Sequence, residues 1–82
     1  MTLQQLRFLI AVAESGSINA AAQRLYTAQS NISNAVKSLE LELHLEIFTR
    51  SSRGVTLTND GTELLGYARQ VVEQADMLEA RY

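Results

Sequence analysis

Side chains that form hydrogen bonds are concentrated near the middle of the chain. From position 27 to position 37 the polar residues are neutral except for one lysine: Thr27, Gln29, Ser30, Asn31, Ser33, Asn34 and Lys37. Amides and hydroxyls donate and accept hydrogen bonds in defined directions. An ordinary solvated helix surface carries interspersed Glu and Lys instead. This composition indicates a surface built for hydrogen bonding, although a solvated polar face would tolerate the same residues.

Two arginines form a second candidate group. Arg50 and Arg53 are the only charged residues from position 47 to position 59. The chain has 7 basic and 9 acidic residues, but the acids are concentrated elsewhere, so a net charge of −2 does not exclude a basic surface. Neutral hydrogen-bonding groups beside a few cations suit the base edges and phosphates of nucleic acid.

Other chemistries have little support. The chain has no cysteine, which excludes disulfides, thiolate metal sites and thiol catalysis. The single histidine, His44, follows Glu40 by four residues and precedes Glu46 by two, which is a weak metal-binding pattern without further ligands. Ser51 and Ser52 lack both a glycine-rich loop and a neighbouring base. We therefore predict no catalytic residue, no metal ligand and no enzyme.

Length and composition limit the elements that can position these groups. The 82 residues suffice for one small domain. The absence of proline, the 4 glycines and the 46% hydrophobic content favour a folded, mainly helical chain. The sequence contains no apolar run of membrane-spanning length and no signal-peptide pattern. We expect a protein of the cytoplasm with no membrane partner.

Capping signals predict two helices at the start of the chain. Thr2 and Gln5 match a capping box, and Gly16 is suited to the end of the helix that follows. Ser17 is the predicted cap of a short second helix from Ile18 to Leu25.

A third helix presents the polar segment. Thr27 is its predicted cap, and its apolar stripe is Ile32, Val36, Leu39 and Leu43. Two helices joined by a short turn, the second with a hydrogen-bonding face, form a helix-turn-helix whose second helix enters the DNA major groove. A helical bundle with one polar face produces the same pattern, so the spacing alone leaves both interpretations open.

The second half of the sequence predicts a hairpin and a long helix. Leu45–Thr49 and Val55–Leu57 are predicted strands around a loop that carries both arginines at its tip. Thr58 caps a helix from Asn59 to the end, and its apolar residues follow a heptad-like spacing. One face of this helix can pack on the domain and another can bind a partner, although core packing alone explains the same spacing. Because no terminating signal closes the helix, we expect an amino-terminal fragment of a longer protein.

Several motifs in register resemble the amino-terminal domain of LysR-type transcriptional regulators. They are Leu3-Gln-Gln-Leu-Arg-Phe8, Ser17-Ile-Asn-Ala-Ala-Ala-Gln-Arg-Leu25, Gln29 with Ile32-Ser33, Leu39-Glu40 with Leu43, Ile47-Phe48-x-Arg50, Arg53-Gly54 and Leu57-Thr58-x-x-Gly61. The resemblance implies a mainly α fold: a winged helix-turn-helix of three helices and a small β-hairpin wing, followed by a long linker helix. It places the winged domain at 1–58, the helix-turn-helix at about 18–37, the wing at about 45–57 and the dimerisation helix at 59–82.

The resemblance also implies partners. It implies a homodimer on double-stranded DNA that regulates transcription, and it leaves a tetramer of the full-length protein open. It implies no cofactor in this domain and a small-molecule effector in a carboxy-terminal domain that this chain lacks. The alternative is a helical protein-interaction module that uses the heptad helix and does not bind DNA.

The family pattern assigns roles to residues. Gln29, Ser33 and Asn34 resemble the base-contacting residues, and Arg53 resembles the wing arginine. The predicted DNA-binding set is Thr27, Gln29, Ser30, Asn31, Ser33, Asn34, Lys37, Arg50 and Arg53. The predicted dimer interface is Leu64, Leu65, Ala68, Val71, Val72, Ala75 and Leu78. Asn34 stands where a basic residue is common. His44 replaces the usual Gly, and this replacement predicts either a less favourable left-handed residue at position 44 or an altered junction after the helix.

Overall fold

Four helices and one hairpin make up the fold. The computed structural model describes residues 1–82. In chain order the elements are α1 (Leu3–Ser15), α2 (Ile18–Leu25), α3 (Gln29–Leu43), β1 (Phe48–Ser51), β2 (Gly54–Leu57) and α4 (Asn59–Arg81). The predicted fold class, mainly helical with a small antiparallel hairpin, is confirmed. Neither α4 nor any shorter helix has the length and hydrophobicity needed to cross a membrane.

Three helices begin at their predicted caps. Thr2 and Gln5 form the reciprocal capping box of α1. The hydroxyls of Ser17 and Thr58 accept backbone N–H groups three residues further on, at 3.0 and 2.9 Å. Gly16 ends α1 in the left-handed conformation, with φ of 76°. Each such cap stabilises its helix by about 1 kcal/mol.

The start of α3 differs from the prediction. Its N-cap is Ala28 rather than Thr27, and no side chain caps it. The backbone N–H of Thr27 donates to the carbonyl of Ala22 at 3.0 Å, so Thr27 completes the end of α2. Its hydroxyl instead accepts a hydrogen bond from Asn31 Nδ2 at 2.9 Å.

Two residues other than glycine adopt left-handed backbone conformations. His44 ends α3 with φ of 56°, as its position in the family pattern predicts. Tyr26 ends α2 with φ of 54°, which no signal in the sequence indicated. A side chain in this conformation costs roughly 1 kcal/mol compared with glycine. Both short connections are therefore made at some cost in stability.

The first strand of the hairpin begins later in the chain than predicted. The backbone N–H groups of Leu45 and Ile47 are engaged by the carbonyl and the carboxylate of Glu40, at 3.2 and 2.8 Å. Residues 45–47 therefore belong to the loop after α3, and β1 begins at Phe48. Pairing continues to Ser51, opposite Gly54, so the turn is shorter than the predicted loop. Arg50 consequently lies on β1 and only Arg53 lies in the turn.

Helix α1 lies at the centre of the core and contacts α2, α3, α4 and β2. The side chains buried around it come from every helix and from the loop and strand after α3: Leu6, Leu9, Val12, Ala21, Ala22, Ile32, Val36, Leu39, Ile47, Phe48, Leu65 and Ala68. Burial of a Leu or Ile side chain contributes about 1.5–3 kcal/mol. The core therefore orients α2, α3 and the hairpin relative to one another.

Backbone contacts fix the hairpin on this body. The N–H of Val55 donates to the carbonyl of Gly16 at 3.0 Å, and the N–H of Thr58 donates to the carbonyl of Ile47 at 3.0 Å. Gly54 has φ of 126°, and a Cβ there would overlap the carbonyl oxygen of Gly16. Only glycine allows β2 to approach the turn between α1 and α2 so closely.

Candidate nucleic-acid interface

The connection between α2 and α3 holds the two helices against each other. The small side chains of Ala21 and Ala22 are buried, which lets α3 approach α2 closely, and Ile32 fills the contact from the other side. Left-handed Tyr26 turns the chain, and only Thr27 and Ala28 separate it from α3. The arrangement is two packed helices with a short turn, in the order predicted.

The outer face of α3 carries most of the predicted hydrogen-bonding residues. Three of the four residues of its predicted apolar stripe are buried, with Ile32 and Leu39 at 0% exposure and Val36 at 5%, while Leu43 is half-buried. The predicted residues that are exposed on this helix are Gln29, Ser30, Asn31, Asn34 and Lys37, while Ser33 is half-buried. Thr27, in the preceding turn, is also half-buried. The face offers amide and hydroxyl groups and a single charge.

Two of the exposed amides are held by neighbouring side chains. Gln29 Nε2 donates to Asn19 Oδ1 at 3.0 Å, and Asn31 Nδ2 donates to Thr27 Oγ1 at 2.9 Å. Asn19 was not among the predicted residues. The available signal was its position in the first turn of α2, beside a predicted turn that brings α3 back across α2.

A groove between α3 and β1 connects the helix with the hairpin. It has a volume of about 370 Å³. Its lining includes Ser33 and Lys37 from α3 and Arg50 from β1, together with Glu40 and Glu46. Arg53 stands beyond it in the exposed turn of the hairpin. The structure therefore places the polar segment that contains Lys37 next to the two arginines of the hairpin.

A second groove lies on the opposite side of α3. It has a volume of about 490 Å³ and separates α3 from the first turns of α1. Asn31, Asn34 and Ser38 line one wall, and Gln4 and Gln5 contribute to the other. Exposed Gln4 was not among the predicted residues because nothing in the sequence places the start of α1 beside α3. The hydrogen-bonding surface is therefore wider than α3 alone.

Three of the seven basic residues form ion pairs elsewhere on the molecule. Arg7 pairs with Asp76 at 2.8 Å, and Arg24 and Arg69 contact the two carboxylate oxygens of Glu14 at 2.8 and 3.6 Å. The hydrogen bond that Arg7 donates to Asp76 raises the pKa of Arg7 above its already high value, so this residue is charged at any physiological pH. All of these pairs lie on α1, α2 and α4, away from the outer face of α3.

The remaining cations have no carboxylate within ion-pair distance. They are Lys37, Arg50, Arg53 and Arg81. Arg81 lies at the end of α4, where its guanidinium is 5.6 Å from the centre of the Tyr82 ring. Lys37 lies on the exposed face of α3, and Arg50 and Arg53 lie on the hairpin beside it. Three of the four unpaired cations are thus concentrated here, although the chain as a whole is acidic.

Two residues of the weak metal-binding pattern, Glu40 and His44, have structural roles. The carboxylate of Glu40 accepts the backbone N–H of Ile47 at 2.8 Å and so closes the loop after α3. His44 serves as the left-handed end of the same helix. No three His, Asp or Glu side chains converge in a metal-binding arrangement. Ser51 likewise accepts the backbone N–H of Arg53 at 3.2 Å within the hairpin turn.

The predicted dimer residues on α4 are divided between the core and the surface. Leu65 and Ala68 are buried against the chain's own core, and Leu64 and Val72 pack at its edge. Val71 is 48% exposed and Leu78 is 62% exposed, with half-buried Ala75 between them. Two residues outside the predicted set, Tyr67 and Met77, add further exposed apolar surface.

The helix pair, the hairpin beside it and the long final helix define a winged helix-turn-helix domain. Residues 3–62 match the family model described as bacterial regulatory helix-turn-helix protein, lysR family. The chain belongs to this family, as its motifs indicated.

Curated relatives agree with this assignment. The transcriptional regulator ClcR of Pseudomonas putida is 42% identical over 81 residues, which are 99% of this chain and 28% of ClcR. CzcR of Bacillus anthracis is 38% identical over 79 residues, which are 96% of this chain and 27% of CzcR. This chain therefore spans little more than a quarter of the length of these relatives. Both are named as regulators rather than enzymes, in agreement with the sequence prediction.

Solved structures show the same fold bound to DNA. The DNA-binding domain of CbnR in complex with DNA is 40% identical with a TM-score of 0.93, and the match covers 99% of this chain and 93% of that one. The DNA-binding domain of BenM on its benA site 1 DNA is 33% identical with a TM-score of 0.91, and the match covers 99% of this chain and 94% of that one. Nothing in these comparisons supports the alternative of a protein-interaction module.

Proposed function

We propose that this chain is the DNA-binding domain of a LysR-type transcriptional regulator and that it binds a two-fold operator as a homodimer. The observation that carries the proposal is the exposed hydrogen-bonding face of α3, flanked by Lys37, Arg50 and Arg53, three cations with no acidic partner. Cations beside neutral hydrogen-bonding groups are what a phosphate backbone and base edges require together. The DNA complexes of CbnR and BenM support this use of the fold.

In this proposal α3 lies in the major groove. Gln29, Ser33 and Asn34 contact base edges, where amides can bind adenine through two hydrogen bonds. Thr27, Ser30, Asn31 and Lys37 complete the contact on α3 and its turn. Arg50 and Arg53 contact the backbone or the minor groove from the hairpin. Residues 1–58 form the DNA-binding body, and residues 59–82 form the helix that joins two copies.

The exposed side of α4 supports a dimer. Val71, Ala75 and Leu78 follow one another at helical spacing in the second half of α4, where Val71 and Leu78 are exposed and Ala75 is half-buried. Leu64, Leu65, Ala68 and Val72 belong to the same predicted set but already contact the chain's own core, so we propose that they support the interface from behind. Two-fold symmetry then places half-sites a multiple of about 10 base pairs apart on unbent DNA.

The full-length protein has further properties in this proposal. We propose that a carboxy-terminal domain that binds a small-molecule effector makes up the rest of such a regulator; this chain covers 28% of the length of ClcR. The effector changes the spacing of the two DNA-binding domains, and dimers can assemble into a tetramer. This domain itself needs no cofactor, and the regulator acts in the cytoplasm, where bacterial DNA is located.

Selection from randomised duplex DNA tests the proposal. The retained sequences are determined at two salt concentrations, and enrichment of a palindromic site is the expected result. With three free cations per subunit, and so six per dimer, the logarithm of affinity should fall against the logarithm of salt with a slope no steeper than about −5. If no sequence is enriched while sedimentation shows a dimer, the proposal is wrong.

Two substitutions separate base recognition from backbone binding. Asn34→Ala should lower discrimination at particular base pairs by roughly 1–3 kcal/mol for each lost pair of hydrogen bonds. Arg53→Ala should weaken binding to many sequences and make the salt slope shallower by about 1 per subunit. Binding to selected and unrelated duplexes at several salt concentrations measures both effects. Equal and negligible effects would contradict a DNA contact on this face.

A further inference from the structure

Two side-chain amides meet on the outer surface of the helix pair. Asn19 lies in the first turn of α2, and its Oδ1 accepts a hydrogen bond of 3.0 Å from Nε2 of Gln29, the first residue of α3. Both side chains are exposed, and neither makes another side-chain hydrogen bond. The contact spans ten positions in sequence and joins the two helices at the edge of the proposed DNA-contacting face.

We propose that Asn19 is a positioning residue that orients Gln29 for the recognition of adenine. This inference rests on the proposed function. The side-chain NH2 group of Gln29 has two hydrogens, and the bond to Asn19 uses one of them. The other N–H and Oε1 of Gln29 stay available, and they are the donor and the acceptor that adenine N7 and its 6-amino group require.

The position of Asn19 is itself fixed. Ser17 caps α2 two residues earlier, and Ala21 and Ala22, two and three residues later, are buried against the core. The backbone at Asn19 therefore cannot shift relative to α3 unless the helix pair moves. An acceptor carried on this fixed backbone restricts the otherwise mobile side chain of Gln29.

The restriction matters because a free glutamine can present either end of its amide. Rotation of its side chain exchanges the donor and the acceptor, so the group tolerates several bases and loses rotational freedom when it binds one of them. The hydrogen bond to Asn19 removes part of this freedom before DNA arrives. Its loss should lower discrimination at the base pair beneath Gln29 by roughly three- to tenfold.

The experiment begins with the unsubstituted protein and Gln29→Ala. Selection from randomised duplexes gives the preferred site, and the position whose preference is lost in Gln29→Ala identifies the base pair that Gln29 contacts. The expected base there is adenine. Discrimination between adenine and the other bases at that pair is then measured for three variants: Asn19→Ala, the double variant Asn19→Ala with Gln29→Ala, and Gln23→Ala. Gln23 is the control because it is also an exposed amide on α2 but makes no side-chain hydrogen bond.

Asn19→Ala should lose discrimination at this pair alone, and it should have no additional effect in the Gln29→Ala background. Gln23→Ala should keep discrimination. Asn19→Asp retains an acceptor for Gln29 and adds a negative charge, so it should weaken binding to every sequence and still discriminate. In the absence of DNA, nuclear magnetic resonance should show the Gln29 side-chain amide becoming more mobile in Asn19→Ala than in Gln23→Ala.

Unchanged discrimination in Asn19→Ala would overturn the role of Asn19 and leave DNA binding intact. An equal loss with and without Gln29 would do the same, because Asn19 would then act independently. If the unsubstituted protein enriches no sequence, both this inference and the proposed function fail.

Discussion

Two glycines of α4 illustrate how much the surroundings of a single residue determine. Gly61 is buried at the start of the helix, and a Cβ there would overlap the carbonyl oxygen of Ile47. Gly66 is exposed about one and a half turns later, and nothing lies within 4 Å of the point that its Cβ would occupy. The same residue type is therefore required at one position and replaceable at the other.

Alanine at these positions should have opposite effects on stability. Gly61→Ala forces Ile47 and the loop after α3 to shift, which should lower the free energy of unfolding by about 1–3 kcal/mol. Gly66→Ala should raise it by up to about 1 kcal/mol, because alanine favours the helical conformation. Urea unfolding followed by circular dichroism measures both. Two changes of the same sign would contradict the close contact at Gly61.

For single residues, the sequence predicts hydrogen bonds between near neighbours in the chain better than hydrogen bonds between distant residues. The hydroxyls of Ser17 and Thr58 act as predicted, because each reaches an N–H group only three residues away. The roles of Glu40 and Asn19 were missed, since their partners lie seven and ten residues away and meet them only after the chain has turned. Residue type and spacing cannot specify such a meeting.

Among the elements, α3 lacks a feature that the other helices have. Its N-cap, Ala28, has extended backbone angles of φ −73° and ψ 145°, and no side chain accepts the N–H groups of its first turn. The helices α1, α2 and α4 all have such an acceptor. The helix proposed to contact DNA is thus the one whose start is least stabilised by its own sequence.

Ala28→Ser should supply the missing acceptor. The backbone of Ala28 already has the angles that a serine cap requires, so the free energy of unfolding should rise by about 1 kcal/mol. Ala80→Ser is the control, because this exposed residue near the end of α4 has no free N–H groups after it and serine is the poorer helix former. Thermal and urea unfolding compare the two variants. A gain at both positions would mean that capping is not its cause.

The extent of each element could be predicted where its ends are marked by local signals. The bounds of α2 and the start of α4 are as predicted, because Ser17 and Thr58 mark them. The start of α3 and the first strand were misplaced. In both places a backbone carbonyl of the preceding helix accepts the N–H of a residue in the connection, Thr27 or Leu45. The next element therefore begins later than predicted.

On the scale of the whole molecule, α4 has two different halves. The first half contributes Leu65 and Ala68 to the core, while the second half has no fully buried residue and exposes Val71, Met77 and Leu78. With 23 residues the helix is about 34 Å long, and the longest dimension of the molecule is 43 Å. The heptad spacing in the sequence could not separate these halves, because it continues through both.

Val71→Glu should shift sedimentation of the protein toward the monomer. In the proposed dimer the new carboxylate would be buried without a partner, which is strongly unfavourable. Folding should be retained because Val71 is 48% exposed in the single chain. Gln70→Glu, an equally charged change at the adjacent exposed position, should leave the dimer intact. A Val71→Glu protein that stays dimeric would exclude this stripe from the interface.

The internal pairing of Arg7, Arg24 and Arg69 has a consequence for a regulator in a cell. A chromosome offers roughly 10⁶–10⁹ non-specific sites in competition with one operator, and all of them attract free cations equally. Arginines that are engaged by Asp76 and Glu14 add little to this attraction. The proposed dimer, with few free cations, should therefore spend less of its time on unrelated DNA. Fewer copies per cell would then be enough to keep the operator occupied.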